Sequence, residues 1–186
     1  MSILTNVNVW AIVGDSGAGK STMIGHLTAQ FGATKKPNGL RPGPARKHYT
    51  ILLRGGGFLR LWSRKMALQE AEWSPEFAVG EISNHILRHH RGATSGNILI
   101  ALRDVDSNGF PEGHEYLNYF QSQGWTVRSL VLIQKTEDPS EYWSVGAPVC
   151  FMNSAEQLKP EPDNLQAFSE QIAHRVGRIR NHFEWA

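Results

Sequence analysis

Short apolar runs alternate along the chain with stretches in which apolar residues recur every three or four positions. The continuous runs predict strands that are buried on both faces of a sheet, and the second pattern predicts amphipathic helices. The predicted strands are residues 7–13, 97–102, 125–134 and 147–152, and the predicted helices are residues 23–31, 74–91, 112–123 and a last one whose apolar stripe spans residues 165–179. This alternation predicts an α/β fold, a three-layer doubly wound sandwich with a mostly parallel sheet.

A β-hairpin is predicted where two β-rich runs, residues 49–53 and 58–62, flank three consecutive glycines. It would add an antiparallel pair to the otherwise parallel sheet. The residues after the hairpin, 63–73, mix charged and apolar positions without a clear period, so they predict no regular element.

Residues 14–21 match the pattern G-x-x-x-x-G-K-[ST] and lie between the first predicted strand and the first predicted helix. Glycines allow consecutive backbone N–H groups to turn toward a phosphate, and the helix adds the positive end of its dipole. In such a loop, Lys20 would reach the β- and γ-phosphates of a nucleoside triphosphate, and the Ser21 hydroxyl would bind Mg²⁺. The predicted nucleotide-binding residues are Gly14, Asp15, Ser16, Gly17, Ala18, Gly19, Lys20, Ser21 and Thr22.

Two aspartates, Asp104 and Asp106, follow the apolar strand 97–102. Polar groups that leave the carboxyl ends of parallel strands collect at one edge of the sheet, and an acid in that place can hold the magnesium shell of a nucleotide. We predict Asp104 as the metal residue together with Ser21. The alternative is that both aspartates begin the turn at residues 106–109. Candidate general bases are Asp106, Glu70 and Glu72.

The chain has 186 residues, 40% apolar content and a formal net charge of +2, which predicts a single domain spanning residues 1–186. No long uncharged apolar run is present, which excludes a membrane-spanning helix of ordinary length. The lone cysteine, Cys150, lies in an apolar run where a buried thiol is expected, and it cannot form an internal disulfide. Because the first residues also lack the features of a signal peptide, we expect a cytoplasmic protein with no membrane partner.

Basic residues concentrate in two places. The loop 33–48 contains Lys35, Lys36, Arg41, Arg46, Lys47 and His48 and no acid, and residues 88–91 read Arg-His-His-Arg. The first cluster could fold over bound phosphates or an acceptor, or could be a solvated loop. The second lies at a predicted helix end, where positive charge also suits the helix dipole.

Through residues 14–21, the chain resembles the P-loop nucleoside triphosphatase superfamily. The progression from residues 98–104 through a helix that closes at Gly124 to the strand 127–133 resembles phage deoxynucleoside monophosphate kinases. This resemblance implies a Mg²⁺-dependent kinase that transfers the γ-phosphate of ATP or GTP to a nucleotide or nucleic-acid acceptor, such as a modified base in phage DNA. The basic loop and three further cations would then face the acceptor: Arg60, Arg64 and Lys65. Residues 135–146 contain no arginine, so the arginine-rich lid of adenylate-kinase relatives is absent there.

Two alternatives stay open. The element order also resembles that of small GTPases, with Gln134, Lys135 and Glu137 near the position of the N-K-x-D motif and Ser154 and Ala155 near that of S-A. That family's D-x-x-G motif is replaced by residues 63–66, so the γ-phosphate switch is missing. A nucleic-acid-binding ATPase would need a ring-forming oligomer and a glutamate after Asp104, where the chain has Val105.

Overall fold

In a computed structural model, the described residues are 3–32, 48–134, 140–153 and 165–186. They form six strands and four α-helices in one sheet-centred arrangement. The strands are β1 (Val7–Gly14), β2 (His48–Leu52), β3 (Phe58–Ala67), β4 (Gly96–Leu102), β5 (Thr126–Gln134) and β6 (Val149–Asn153), and the helices are α1 (Lys20–Gly32), α2 (Pro75–His89), α3 (Gly113–Ser122) and α4 (Leu165–His182).

The six strands make one sheet in the order β2-β3-β4-β1-β5-β6. Every neighbouring pair from β3 to β6 is parallel, and β2 pairs with β3 antiparallel, from His48 opposite Trp62 to Leu52 opposite Phe58. The α/β architecture, the mostly parallel sheet and the hairpin are therefore confirmed.

Helices cover both faces of the sheet because successive side chains of a strand point to opposite faces. On β1, the side chains of Val9 and Val13 belong to the core that contains α2 and α3, and those of Trp10 and Ile12 belong to the core that contains α1 and α4. The central strands β1 and β4 are apolar at nearly every position because helices bury both faces of the sheet there.

Local signals in the sequence explain where α2 and α3 begin. Ser74 precedes α2, and its hydroxyl accepts a hydrogen bond from the Phe77 backbone N–H, with Pro75 at the first helical position. A capping box formed by Glu112 and Glu115 begins α3.

Two segments differ from the sequence-based prediction. Strand β3 continues to Ala67 rather than ending near residue 62, since its second half pairs with β4. The connection between β5 and β6, predicted only as a polar segment, contains a 3₁₀ helix, Ser140–Val145, whose Tyr142 and Val145 are buried. Cys150 lies in β6 with its side chain only partly buried.

The carboxyl-terminal residues fold back onto the hairpin. Trp185 is 1% exposed, packs against Trp10 and Phe183, and forms an isolated β-bridge with Leu53. The Ala186 backbone N–H donates to the carbonyl of Leu52. Among the helices that the structure describes, none combines the length and the apolar character that crossing a bilayer requires.

We predict that Trp185→Ala lowers the free energy of unfolding by about 3–5 kcal/mol, because it removes a fully buried indole from the α1/α4 core. Trp143→Ala is the matched control, since Trp143 is 72% exposed, and its effect should stay within about 0.5 kcal/mol. Urea denaturation followed by circular dichroism measures both. Equal effects of the two substitutions would contradict the packing of the carboxyl terminus.

Candidate functional site

The candidate site lies at the carboxyl ends of β1 and β4. The chain leaves these adjacent strands toward opposite faces of the sheet. Strands β1 and β4 are parallel neighbours, with Val13 opposite Leu102. The helix after β1, α1, packs on one face, and the helix after β4, α3, packs on the other. In open α/β sheets such a divergence leaves a crevice outside the carboxyl ends of the strands. Residues 14–21 and the Arg103–Asp104 pair both lie there.

Residues 14–21, hereafter the glycine-rich loop, turn sharply between β1 and α1. Gly17 and Gly19 have φ angles of 77° and 87°, which residues with a Cβ rarely adopt. A Cβ added to Gly14 would lie 2.5 Å from the carbonyl oxygen of Ile133 in β5, so this position requires glycine because the neighbouring strand approaches closely. The glycines of the motif are therefore explained by the backbone path itself.

The side chain of Lys20, the first residue of α1, folds back beneath the glycine-rich loop. It is only 5% exposed, and its Nζ donates hydrogen bonds of 2.7 Å to the carbonyl oxygens of both Gly14 and Asp15. Burial lowers the pKa of Lys20, and the positive charge of Arg103 lowers it further, against the opposing effect of Glu70, Asp15 and Asp104. The loop thus holds a desolvated ammonium group among these four charged residues.

Asp104 is held in place by two neutral donors. Its Oδ2 accepts a 2.6 Å hydrogen bond from Nε2 of Gln134, and its Oδ1 accepts a 2.9 Å bond from the Tyr142 hydroxyl. Burial, followed by the charge of Asp104, raises the pKa of Tyr142 well above its usual range, so the phenol stays a donor. Asp106 is exposed and is not among the charges that shift the pKa of Lys20.

The turn that carries Glu70 is fixed near the site by its buried neighbour, Gln69. The short 3₁₀ turn Gln69–Ala71 follows β3, and the fully buried Gln69 ties this turn to the end of β4. Its Nε2 donates to the carbonyl oxygens of Arg103 and Pro111, each at 3.2 Å, and its Oε1 accepts from the Arg103 backbone N–H at 3.1 Å. Glu70 itself is exposed. Of the charges that raise the pKa of Lys20 and so oppose the effect of burial, that of Glu70 has the largest effect.

The three cationic side chains of β3 point to different places, and Ser21 contacts only the backbone of one of them. The Ser21 hydroxyl donates at 2.8 Å to the carbonyl of Lys65, and the Lys65 side chain lies against Gly25 of α1. The Arg64 guanidinium stacks over the indole of Trp73 at 3.9 Å on the other face. Arg60 lies farther back along β3, where its carbonyl accepts from Asn97 near the start of β4. The three cations that the sequence grouped are therefore separated, and only the backbone of Lys65 touches the loop–helix junction.

A cluster that sequence reasoning missed borders the site. Glu112, His114 and Glu141 bring one potential ligand atom each within 4.8 Å of one another, with His114 Nδ1 3.3 Å from Glu112 Oε2 and 3.9 Å from Glu141 Oε2. Burial raises the pKa of Glu112, as does the nearby charge of Glu141. Glu112 also caps α3, so the cluster has a structural role of its own. No spacing in the sequence reveals it, because Glu141 comes from the 3₁₀ helix after β5.

Several residues named by the sequence fall outside the described part of the chain. They are the basic loop up to residue 47, the segment 135–137 and the pair 154–155. Thr22 lies in the exposed first turn of α1. Gln134, which the sequence places near a guanine-recognition motif, instead holds Asp104 through its amide.

Comparison with known proteins assigns no family to the chain. Neither a scan against protein-family models nor a search of curated proteins finds a significant match. Function is therefore inferred from the geometry around Lys20, Asp104 and Glu70.

The site depends on a close approach at the start of α3. A Cβ added to Gly113 would lie 2.7 Å from the Arg103 carbonyl oxygen, 2.9 Å from the Tyr142 hydroxyl and 3.0 Å from Val13. These are the end of β4, the donor to Asp104 and the strand before the glycine-rich loop. A methyl group at this position would therefore displace parts of the site itself.

We predict that Gly113→Ala lowers the free energy of unfolding by about 1–3 kcal/mol, the usual effect of overpacking. Gly80→Ala is the control: Gly80 lies inside α2 with no atom within 4 Å of an added Cβ, so alanine there should stabilise by about 0.5–1 kcal/mol. Thermal unfolding of the two variants should thus shift in opposite directions. A stabilised Gly113→Ala protein would contradict the tight packing of α3 on the site.

Proposed function

We propose that this protein is a P-loop phosphotransferase: a Mg²⁺-dependent kinase that transfers the γ-phosphate of ATP or GTP to a hydroxyl or phosphate of a nucleotide or nucleic-acid acceptor. The observation that carries the proposal is the buried Lys20 ammonium beneath a glycine-rich loop, with Asp104 and Glu70 among the charges that act on it. Phosphoryl transfer needs mainly alignment and charge stabilisation, and this arrangement offers both.

The glycine-rich loop has the properties of a polyphosphate site. Backbone N–H groups of residues 16–21 lie at the start of α1, where the helix dipole favours anions. Lys20 is bonded to two neutral carbonyls, and burial and then the charge of Arg103 lower its pKa, so the negative charge of a polyphosphate would favour the ammonium form. Nucleotide binding is therefore electrostatically favourable at this loop.

Ser21 and Asp104 are the residues that would hold Mg²⁺, directly or through water. Oxygen ligands suit this ion, and among the described residues each carboxylate oxygen of Asp104 accepts one hydrogen bond, which leaves it a lone pair for a cation. When bound, Mg²⁺ neutralises charge on the β- and γ-phosphate oxygens. Tyr142 and Gln134 position Asp104. The Ser21 hydroxyl donates its proton to the Lys65 carbonyl, so its oxygen would bind the ion through a lone pair.

Glu70 is the general base in this proposal. It is exposed to an incoming acceptor and fixed to the end of β4 through Gln69, and its charge acts on Lys20. A carboxylate in this place can accept the proton of an acceptor hydroxyl as the phosphorus–oxygen bond forms. Asp106 and Glu72, the other two candidates in the sequence, are not among the charges that shift the pKa of Lys20.

The GTPase-like alternative is weaker on one specific observation. Its guanine-recognition motif would begin at Gln134, whose amide is hydrogen-bonded to Asp104 at 2.6 Å. That side chain serves the proposed metal residue rather than a base, which favours phosphoryl transfer to an acceptor over a switch.

The test of function is label transfer from γ-labelled ATP and GTP, with deoxynucleoside monophosphates and with ordinary or hydroxymethylated DNA as acceptors. We expect label on an acceptor. Glu70→Gln should reduce transfer about 10²-fold or more while nucleotide binding persists, as expected for loss of a general base. Lys20→Ala should abolish transfer together with the nucleotide-dependent rise in melting temperature, a stabilisation of about 2.7 kcal/mol at a hundredfold excess over Kd.

The control for Glu70 is Glu72→Gln, a nearby acid with which Lys20 shows no coupling. Label released only as free phosphate, from GTP alone and unaffected by any acceptor, would refute the kinase. Unchanged nucleotide binding in Lys20→Ala would refute the assignment of the glycine-rich loop.

We predict that Asp104→Asn raises the Mg²⁺ concentration required for half-maximal transfer by about tenfold or more, because a neutral amide binds the ion's shell less strongly than a carboxylate. Asp106→Asn is the matched control and should leave this requirement unchanged. Titration of transfer with Mg²⁺ at saturating nucleotide measures both. Similar shifts in the two variants would remove the metal role from Asp104.

A further inference from the structure

A pocket lies beside the amino-terminal end of β4, whereas the glycine-rich loop follows the carboxyl-terminal end of β1. It has a volume of about 620 Å³ and is formed by β2, the first half of β3, the start of β4 and the end of α2. Strand β4 runs from this pocket at Gly96 to the candidate transfer site after Leu102, a distance of about 20 Å at the usual rise per residue. The pocket is therefore separate from the site described above.

The rim of this pocket, hereafter the basic pocket, is cationic and rich in donors. Arg60 and Arg91 line it, both exposed, together with His48, His90 and Asn97. A neutral imidazole still keeps one N–H donor, and each guanidinium offers several. Among the described residues that line the basic pocket, none carries a carboxylate. An anion would meet attraction here without a competing acid.

The wall of the basic pocket is apolar. Trp62, Ile86 and Ala93 line it. Trp62 is 1% exposed, and its indole Nε1 has no hydrogen-bond partner within the described part of the chain. An apolar wall below a cationic rim suits a ligand with an aromatic ring and a phosphate.

The histidines of this region pack against one another, and among the described residues they do not meet metal-binding spacing. The ring of His48 packs against those of His89 and His90, with centroids 4.3 Å and 5.7 Å apart. Within the described residues, the three-ligand cluster that meets metal-binding spacing is the one at Glu112, His114 and Glu141. The imidazoles of the basic pocket meet through their rings and do not match that spacing.

We propose that the basic pocket binds an unpaired nucleotide of a nucleic-acid strand, its phosphate neutralised by Arg60 and Arg91 and its base against the apolar wall. Bases of single strands are free to leave the stack and enter such pockets. A strand is favoured over a free nucleotide because residues 33–47, which include five lysines and arginines and no acid, directly precede His48 in the sequence. Such a run of positive charge suits a polyanion.

The test is fluorescence anisotropy of a labelled single-stranded deoxyoligonucleotide, titrated with protein in the absence of nucleoside triphosphate. The titration is run with the wild-type chain and with a Lys20→Ala variant. Equal binding by both would show that the oligonucleotide does not bind at the glycine-rich loop. The double variant Arg60→Ala/Arg91→Ala should bind the oligonucleotide about tenfold or more weakly. The slope of log affinity against log salt concentration should become shallower by about one to two. The double lysine variant should retain most of the affinity.

Arg88→Ala is the matched control, because Arg88 is exposed in the last turn of α2 but does not line the basic pocket. It should change affinity by less than about twofold, because salt screens an exposed charge that does not touch the ligand. Wild-type affinity in the double alanine variant, with a wild-type melting temperature, would overturn the proposal. Full competition by an equimolar deoxynucleoside monophosphate or by inorganic phosphate would also overturn it, in favour of a small-anion site. Neither result bears on label transfer at the glycine-rich loop.

Discussion

The structure depends on the burial of β1 along both edges and on both faces. Seven of its eight residues are buried, and it pairs in parallel with β4 on one side and β5 on the other. Since parallel strands end at the same edge of a sheet, the carboxyl ends of all three converge, and the glycine-rich loop, Asp104 and Gln134 become neighbours. Gly14 and Gly113 permit this convergence, because a side chain at either would collide with a neighbouring backbone carbonyl.

Much of the fold could be predicted because its signals are local. The prediction of a strand at 97–102 falls within one residue of Gly96–Leu102, and the Ser74-Pro75 start of α2 was also correct. The second half of β3 was missed because Arg64 and Lys65 interrupt the apolar pattern, and only the parallel partner β4 makes that segment a strand. The 3₁₀ helix Ser140–Val145 was missed because its six residues are too few to show a helical period, and only the tertiary fold buries Tyr142 and Val145.

In the candidate site, too, the residues of a contiguous motif could be predicted, whereas those that are brought together by the sheet could not. The motif at residues 14–21 is contiguous, so its loop geometry could be anticipated. The position of Glu70 depends on the strand order β3-β4-β1 and on the bonds of Gln69, neither of which a periodicity reveals. Arg60 and Arg64 are near in sequence, yet four residues of a strand span about 13 Å, and Lys65 faces the other side. Proximity in the sequence therefore grouped cations that the sheet separates.

Both charges at the centre of the candidate site are held by neutral groups. Lys20 donates to two backbone carbonyls, and Asp104 accepts from an amide and a phenol. Within the described residues, neither has an ion-pair partner within 4.0 Å. A salt bridge between them would fix their positions equally well but would cancel their fields. Held in this way, the ammonium keeps its charge available for a phosphate and the carboxylate keeps its charge available for a cation. Fixed, uncancelled charges of opposite sign at one crevice would suit electrostatic catalysis of the phosphoryl transfer that we propose.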